Sequence, residues 1–136
     1  MGIHDQYGKS VFQRAAGTQY SDTGNSVRVD FNSFGHANIV GTVGNSIAIE
    51  IESRVSKQVR GALLDLVLHP YPKKLLALLP VHMNNPQTTL KQCDFILGKF
   101  LDYKNYRVVL LQGDGNNNKL DVDAKIVKAA LEELGY

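Results

Sequence analysis

The run Ile47-Ala48-Ile49-Glu50-Ile51-Glu52 alternates with a period of two. As a strand it turns the isoleucines to one face and Ala48, Glu50 and Glu52 to the other. The isoleucine face is core. Two carboxylates then stand side by side, ~7 Å apart at the backbone and closer at their tips. At ~5 Å and an effective dielectric of ~20 they repel by about 3 kcal/mol. A cation, a raised pKa or plain solvent must offset that. The plainer reading is a strand whose acidic side faces water. Glutamate is not favoured in strands, however, and two on one face less so. A hard divalent ion bound by carboxylate oxygens would neutralise the pair. The basic run that begins immediately afterwards, Arg54, Lys57 and Arg60, suits a phosphodiester: metal-activated water for the chemistry, cations for the phosphates.

Other residues compete for a chemical role. Asp114-Gly115-Asn116-Asn117-Asn118 offers oxygen ligands at the first, third and fifth positions of a calcium loop. Lys119 then stands where glycine is required and Lys125 where the bidentate glutamate belongs. A strand-to-helix loop capped by Asp121 is the better reading. His4, His36, His69 and His82 show no metal-ligand spacing. His36, two residues before Asn38, is a candidate phosphate contact, and otherwise a loop residue. Cys93 falls on an apolar helix face and reads as core. Ser10, Ser53 and Ser56 lack the glycine frame of a nucleophile elbow, and no phosphate-binding glycine fingerprint precedes a helix. Tyr71, between two prolines and before Lys73-Lys74, either touches DNA or packs the end of a helix.

The elements that must hold these groups follow from periodicity. Lys9 to Ala16 suits a short helix closed by Gly17, and Thr18 to Ser26 reads as a loop. Val27 to Phe31 and Ala37 to Gly41 are predicted strands, and Val43-Gly44-Asn45-Ser46 is a hairpin turn into Ile47 to Glu52. Val55, Val59, Leu63, Leu66 and Val67 form a helical stripe, with Ser53 as its cap and Pro70 and Pro72 as its stop. Leu75 to Leu79 and Arg107 to Leu111 have no polar face and suit buried strands. A helix marked by Leu90, Cys93, Leu97, Phe100 and Leu101 lies between them, and Asp121 starts a last helix. Antiparallel material comes first and parallel crossovers second, so the prediction is an α/β fold with a mixed sheet flanked by helices.

Composition agrees. With 136 residues, 43% of them apolar, the chain suits one compact domain, residues 1–136. One cysteine excludes a disulfide framework. No apolar run approaches the ~20 residues of a membrane helix, and Met1 to Tyr20 is too polar for a secretory core. A soluble, cytoplasmic protein is expected, with no membrane partner. Ser53 to Lys74 holds Arg54, Lys57, Arg60, Lys73 and Lys74 against Asp65, a net of +4, whereas Gln112 to Tyr136 nets −2. The basic centre permits a polyanionic partner without demanding one.

An acid-bearing hairpin, a turn, an acid-x-(basic or acidic) strand and then a helix resemble the PD-(D/E)xK nuclease superfamily, which holds many restriction endonucleases and the archaeal Holliday junction resolvases. The resemblance covers about Val11 to Leu111. The family strand reads Asp/Glu-x-Lys; this one reads Glu50-Ile51-Glu52, as in restriction enzymes with Glu where lysine is usual. The preceding family motif is Pro-Asp and two apolar residues. It is matched by Ala37-Asn38-Ile39-Val40, with Asn38 at the position of the metal-binding aspartate.

The resemblance implies a restriction endonuclease-like core with about five strands and a metal-dependent DNA endonuclease. It implies Mg²⁺, with Mn²⁺ as substitute, held by Asn38, Glu50 and the Ile51 backbone carbonyl. Glu52 would orient or deprotonate the attacking water, or join a second metal, and Lys57 would supply the missing lysine. His36, Arg54, Lys57 and Arg60 would contact DNA. Gln13 is the nearest match to the glutamate that the superfamily often carries on its first helix. Asparagine offers only a neutral carbonyl oxygen to a hard cation. Either a weak ligand is tolerated, or catalysis is lost, or an Asp→Asn substitution has disabled the site. Because the chain is nearly all core, a homodimer or a small subunit of a larger nuclease is expected. A junction resolvase, a non-catalytic DNA-binding module on the same fold, and an interaction protein with a water-facing acidic strand are the alternatives.

Overall fold

The computed structural model describes residues 3–55, 57–114 and 116–136. In chain order its elements are α1 (Ile3–Ala16), β1 (Tyr20–Ser21), β2 (Arg28–Asp30), β3 (His36–Asn38), β4 (Gly41–Val43) and β5 (Ile47–Glu52), then α2 (Lys57–Leu68), β6 (Lys73–Leu78), α3 (Pro86–Gly98), β7 (Tyr106–Leu110) and α4 (Leu120–Glu133). Five strands form one sheet in the order β1-β4-β5-β6-β7, and β2 and β3 form a separate two-stranded ribbon. The β1/β4 and β4/β5 pairs are antiparallel, and β5/β6 and β6/β7 are parallel. Parallel neighbours need long crossovers, and α2 and α3 supply them. The α/β mixed sheet flanked by helices is as expected.

Both faces of the sheet are covered. Ile47, Ile49 and Ile51 pack with Val11 and Phe12 of α1 and with Val127 and Leu131 of α4. On the other face Ala48, Leu76 and Leu78 pack with Leu63 and Leu66 of α2 and Cys93 and Leu97 of α3. The alternation of β5 is therefore as read, but its acidic side does not face water. Helix α2 crosses it, and Glu50 and Glu52 are 7% and 3% exposed. The water-facing reading of this strand is corrected by that burial.

Local differences have identifiable causes. Helix α1 begins at Ile3 rather than Lys9, because Tyr7, Val11 and Phe12 continue its buried stripe through a polar stretch. The Ala37–Gly41 strand is split: His36–Asn38 pairs with β2, and Gly41–Val43 joins the main sheet. Strand β1 lies inside the segment read as a loop, held by pairing Tyr20 with Val43 and Ser21 with Thr42. Ser53 does not cap α2, which begins four residues later, and Ser56 lies outside the described residues. Asp121 sits inside α4, whose cap residue is Lys119; its carboxylate pairs with Arg14 instead. Helix α3 has the cap no reading anticipated: Asn85 accepts from the Thr88 N–H, with Pro86 in the first turn.

Candidate functional site

Strand β5 delivers Glu50 and Glu52 at its carboxyl end, where an open α/β sheet leaves room for a ligand. A cavity of about 580 Å³ opens there. Helix α1 brings Asp5 and Lys9, one helical turn apart. The segment after β1 brings Asp22, the end of the ribbon brings Asn38 and Val40, and α2 brings Gln58 and Asp65 on its inner face. Arg54 closes the rim.

The two glutamates have different surroundings. Glu52 accepts at Oε2 from the backbone N–H groups of Ser53 and Arg54, at 2.9 and 3.0 Å, and from Arg54 Nε at 3.0 Å. Its Oε1 takes Arg54 Nη2 at 2.9 Å. Both oxygens are thus engaged in holding the turn that leads out of β5. Glu50 accepts at Oε1 from the Val40 N–H at 2.6 Å. Burial pushes its pKa up to about 8; the Val40 bond opposes this, and the nearby Asp65 and Glu52 charges add to it. Burial also raises Asp65 above its ordinary value.

The charges do not balance. Lys9 pairs with Asp22 at 3.0 Å, and Arg54 pairs with Glu52. Asp5, Glu50 and Asp65 form no salt bridge among the described residues; Arg54, already paired with Glu52, is the cation whose charge reaches Glu50 and Asp5. Such a cavity attracts cations and repels a bare phosphate.

The donor set suits a hard cation. Asn38 and Glu50 both face the cavity. The carbonyls of Ser46 and Glu52 bond to β6 and to Leu79 beyond it. By strand alternation the Ile51 carbonyl points the opposite way, past the last β4 pairing at Gly41 and Ile49. One carboxylate with carbonyl oxygens matches how Mg²⁺ is usually held, with substrate phosphate and water completing the shell. Among the described residues, no three His, Cys, Asp or Glu side chains are gathered into a metal-binding group. An aspartate at 38 would add the second carboxylate.

The structure brings together Asn38, Glu50, Ile51, Glu52 and Arg54. It does not bring Lys57, Arg60 or His36 into the cavity. Lys57 is exposed at the start of α2, and His36 is exposed on β3 opposite Asp30. Arg60 borders a separate apolar groove between α2 and α3. Gln13 is exposed on α1 outside the cavity, and Asp5 and Lys9 are the residues this helix contributes. Among the described residues Lys9 is therefore the lysine that lines the cavity. The four-residue spacing of Asp5 and Lys9 was the one available signal for them. Asp22 and Asp65 carried none.

Comparison with protein-family models, with curated proteins and with solved structures finds no match to this chain. Among the described residues, no helix is long and apolar enough to cross a membrane.

Proposed function

We propose that this cavity hydrolyses phosphodiester bonds of DNA with the help of a divalent metal, in the manner of a restriction endonuclease-like enzyme. The observation that carries the reading is Glu50: a buried carboxyl with a strongly raised pKa, no salt bridge among the described residues, and Asn38 lining the same cavity. Such a group is stabilised in its charged form by a bound cation. Asn38, Glu50 and the Ile51 carbonyl would hold Mg²⁺, with Mn²⁺ as substitute. The ion supplies a polarised phosphate and an acidified water. Metal is also what lets a polyanion approach an acidic cavity at all. Arg54 is placed to hold a phosphate at the rim, and Lys9 to stabilise charge within. Glu52 acts as a positioning residue, fixing Arg54 and the end of β5.

Asn38 supports a second reading, a DNA-binding module that keeps the fold and has lost the chemistry. The test is cleavage of plasmid DNA and of a synthetic four-way junction, with Mg²⁺ and with Mn²⁺, by this chain and by Asn38→Asp. Cleavage that appears or strengthens with aspartate supports the nuclease, and the products separate restriction from junction resolution. DNA binding without cleavage by either supports the module. Neither binding nor cleavage removes both readings. Light scattering with and without DNA tests the homodimer that a cut in both strands requires.

A further inference from the structure

Of the β2–β3 ribbon the cleavage chemistry uses only Asn38, at one end. The ribbon's pairing is regular, with Arg28 opposite Asn38, Val29 opposite Ala37 and Asp30 opposite His36. Its root is fixed: Val27, Val29 and Ile39 are buried against α2, and His69 Nε2 donates to the Ser26 carbonyl at 2.6 Å. Its tip is also built. The Phe31 N–H donates to the Gly35 carbonyl at 2.8 Å and the Phe34 N–H to the Phe31 carbonyl at 3.1 Å. Asn32 takes a left-handed φ of 57°, and Gly35 takes 107°, which only glycine adopts freely. The result of this construction is a phenyl ring held in water. Phe34 is 88% exposed, the largest exposure of any large apolar side chain described.

The Phe34 ring, even with the partly exposed Phe31 three residues before it, is too little apolar area for a stable protein interface. It is the size of one base-stacking contact. The other end of the same ribbon is Asn38, on the wall of the cavity. Phe34 ends a short 3-10 turn, Asn32–Phe34, and the four residues from it to Asn38 span at most roughly 13 Å, no more than about four base pairs of duplex. A two-stranded ribbon fits a DNA groove, and phenylalanine is among the side chains that wedge between base steps.

We propose that the β2–β3 ribbon is a nucleic-acid probe whose Phe34 stacks on a base within about four base pairs of the phosphate that the cavity beside Asn38 and Glu50 receives. The inference rests on the DNA reading of the cavity and adds the contact that positions the substrate. Arg28 is paired with Asp30 at 2.6 Å, so the ribbon brings little free charge, and the ring carries the contact.

The chain has no tryptophan, which makes the test direct. Phe34→Trp places a sole indole at the tip, and Phe95→Trp places one on α3, where Phe95 is also exposed. Each is titrated with a short mixed-sequence duplex, and with the matching single strand, in Ca²⁺ so that nothing is cut. The expected result is strong quenching of the Phe34→Trp emission on DNA addition and no change for Phe95→Trp. Phe34→Ala is expected to weaken DNA binding about tenfold without lowering the melting temperature. DNA binding by anisotropy with an unquenched indole at 34 overturns the ribbon assignment and leaves the cavity reading standing. No DNA binding by any variant overturns both. Phosphodiester hydrolysis by Asn38→Asp, measured separately on bis(p-nitrophenyl) phosphate, judges the cavity alone.

Discussion

The Val40 N–H donates to Glu50 Oε1 across 2.6 Å, tying the loop that follows Asn38 to the strand of the two glutamates. That bond favours the ionised carboxyl, and burial opposes it and prevails, leaving a pKa of about 8. Position 50 is therefore kept at some expense to the fold at alkaline pH.

Glu50→Gln tests this. Between the usual carboxylate range and about 8 the folded state holds a proton that the unfolded chain has released. The stability that proton contributes is full in acid and is lost as pH rises through about 8. Glutamine still accepts from Val40 and never ionises. Thermal melts are expected to coincide for the two proteins near pH 5, and Glu50→Gln is expected to melt several degrees higher near pH 9. Mg²⁺ is expected to raise the melting temperature of the parent at pH 8 and not that of Glu50→Gln. Equal melting at all pH values would contradict the assignment.

The Arg54 side chain supplies two of the four hydrogen bonds to Glu52, and it is two-thirds exposed while the side chain of Glu52 is buried. Arg54→Met leaves a buried carboxylate with backbone donors only. A loss of about 1–3 kcal/mol is expected in urea unfolding. Arg54→Lys should recover only part of it, since an ammonium lacks the planar fork. Adding Glu52→Gln to Arg54→Met should recover more.

Lys74 is buried and donates to the His69 carbonyl. Burial lowers its pKa to about 8. The folded state therefore binds fewer protons than the unfolded chain from about 8 to the usual lysine value, so stability rises with pH across that window. Below it the full penalty of a buried charge applies. Lys74→Met is expected to be more stable than the parent by about 1–2 kcal/mol at pH 7, with the advantage shrinking as pH rises from about 8 to the usual lysine value. A melt series over pH checks it.

Asp123 is fully buried and accepts from Tyr7 Oη at 2.6 Å, the Gln112 N–H at 2.8 Å and the Gly113 N–H at 2.9 Å. Tyr7→Phe removes one donor and is expected to cost about 1 kcal/mol. Asp123→Ala strands two backbone donors and is expected to cost about 3 kcal/mol or more. Gly113→Ala is expected to be as severe, because an added Cβ would lie 2.3 Å from the Tyr7 ring. Equilibrium unfolding of the three variants ranks them.

Period-two alternation located β5, and unbroken apolar runs located β6 and β7, because those patterns depend only on residues close in the chain. The repulsion between Glu50 and Glu52 was also legible, as a demand that something offset it. How it is met was not. Arg54 takes up Glu52, and burial leaves Glu50 to hold its proton, but both depend on α2 closing over the strand. Asp5, Lys9, Asp22 and Asp65 were invisible as a set, since α1, the segment after β1, and α2 meet only in the fold. The ribbon was half legible. Alternation marked Val27 to Phe31 as a strand, but nothing local says that β3 leaves β4 to pair with it. Strand β1 has two residues, and its partner alone makes it a strand.

The joint between α1 and α4 has a kinetic consequence. Tyr7 bonds Asp123, Arg14 bonds Asp121, and Tyr136 Oη donates to the Ala16 carbonyl, so the first and last helices complete each other on one face of the sheet. During synthesis the isoleucine face of β5 emerges early and waits for α4 to cover it. Contacts this distant in sequence slow folding, and the exposed strand face is vulnerable to association in the interval. The nascent domain is thus at greatest risk just before its last helix leaves the ribosome.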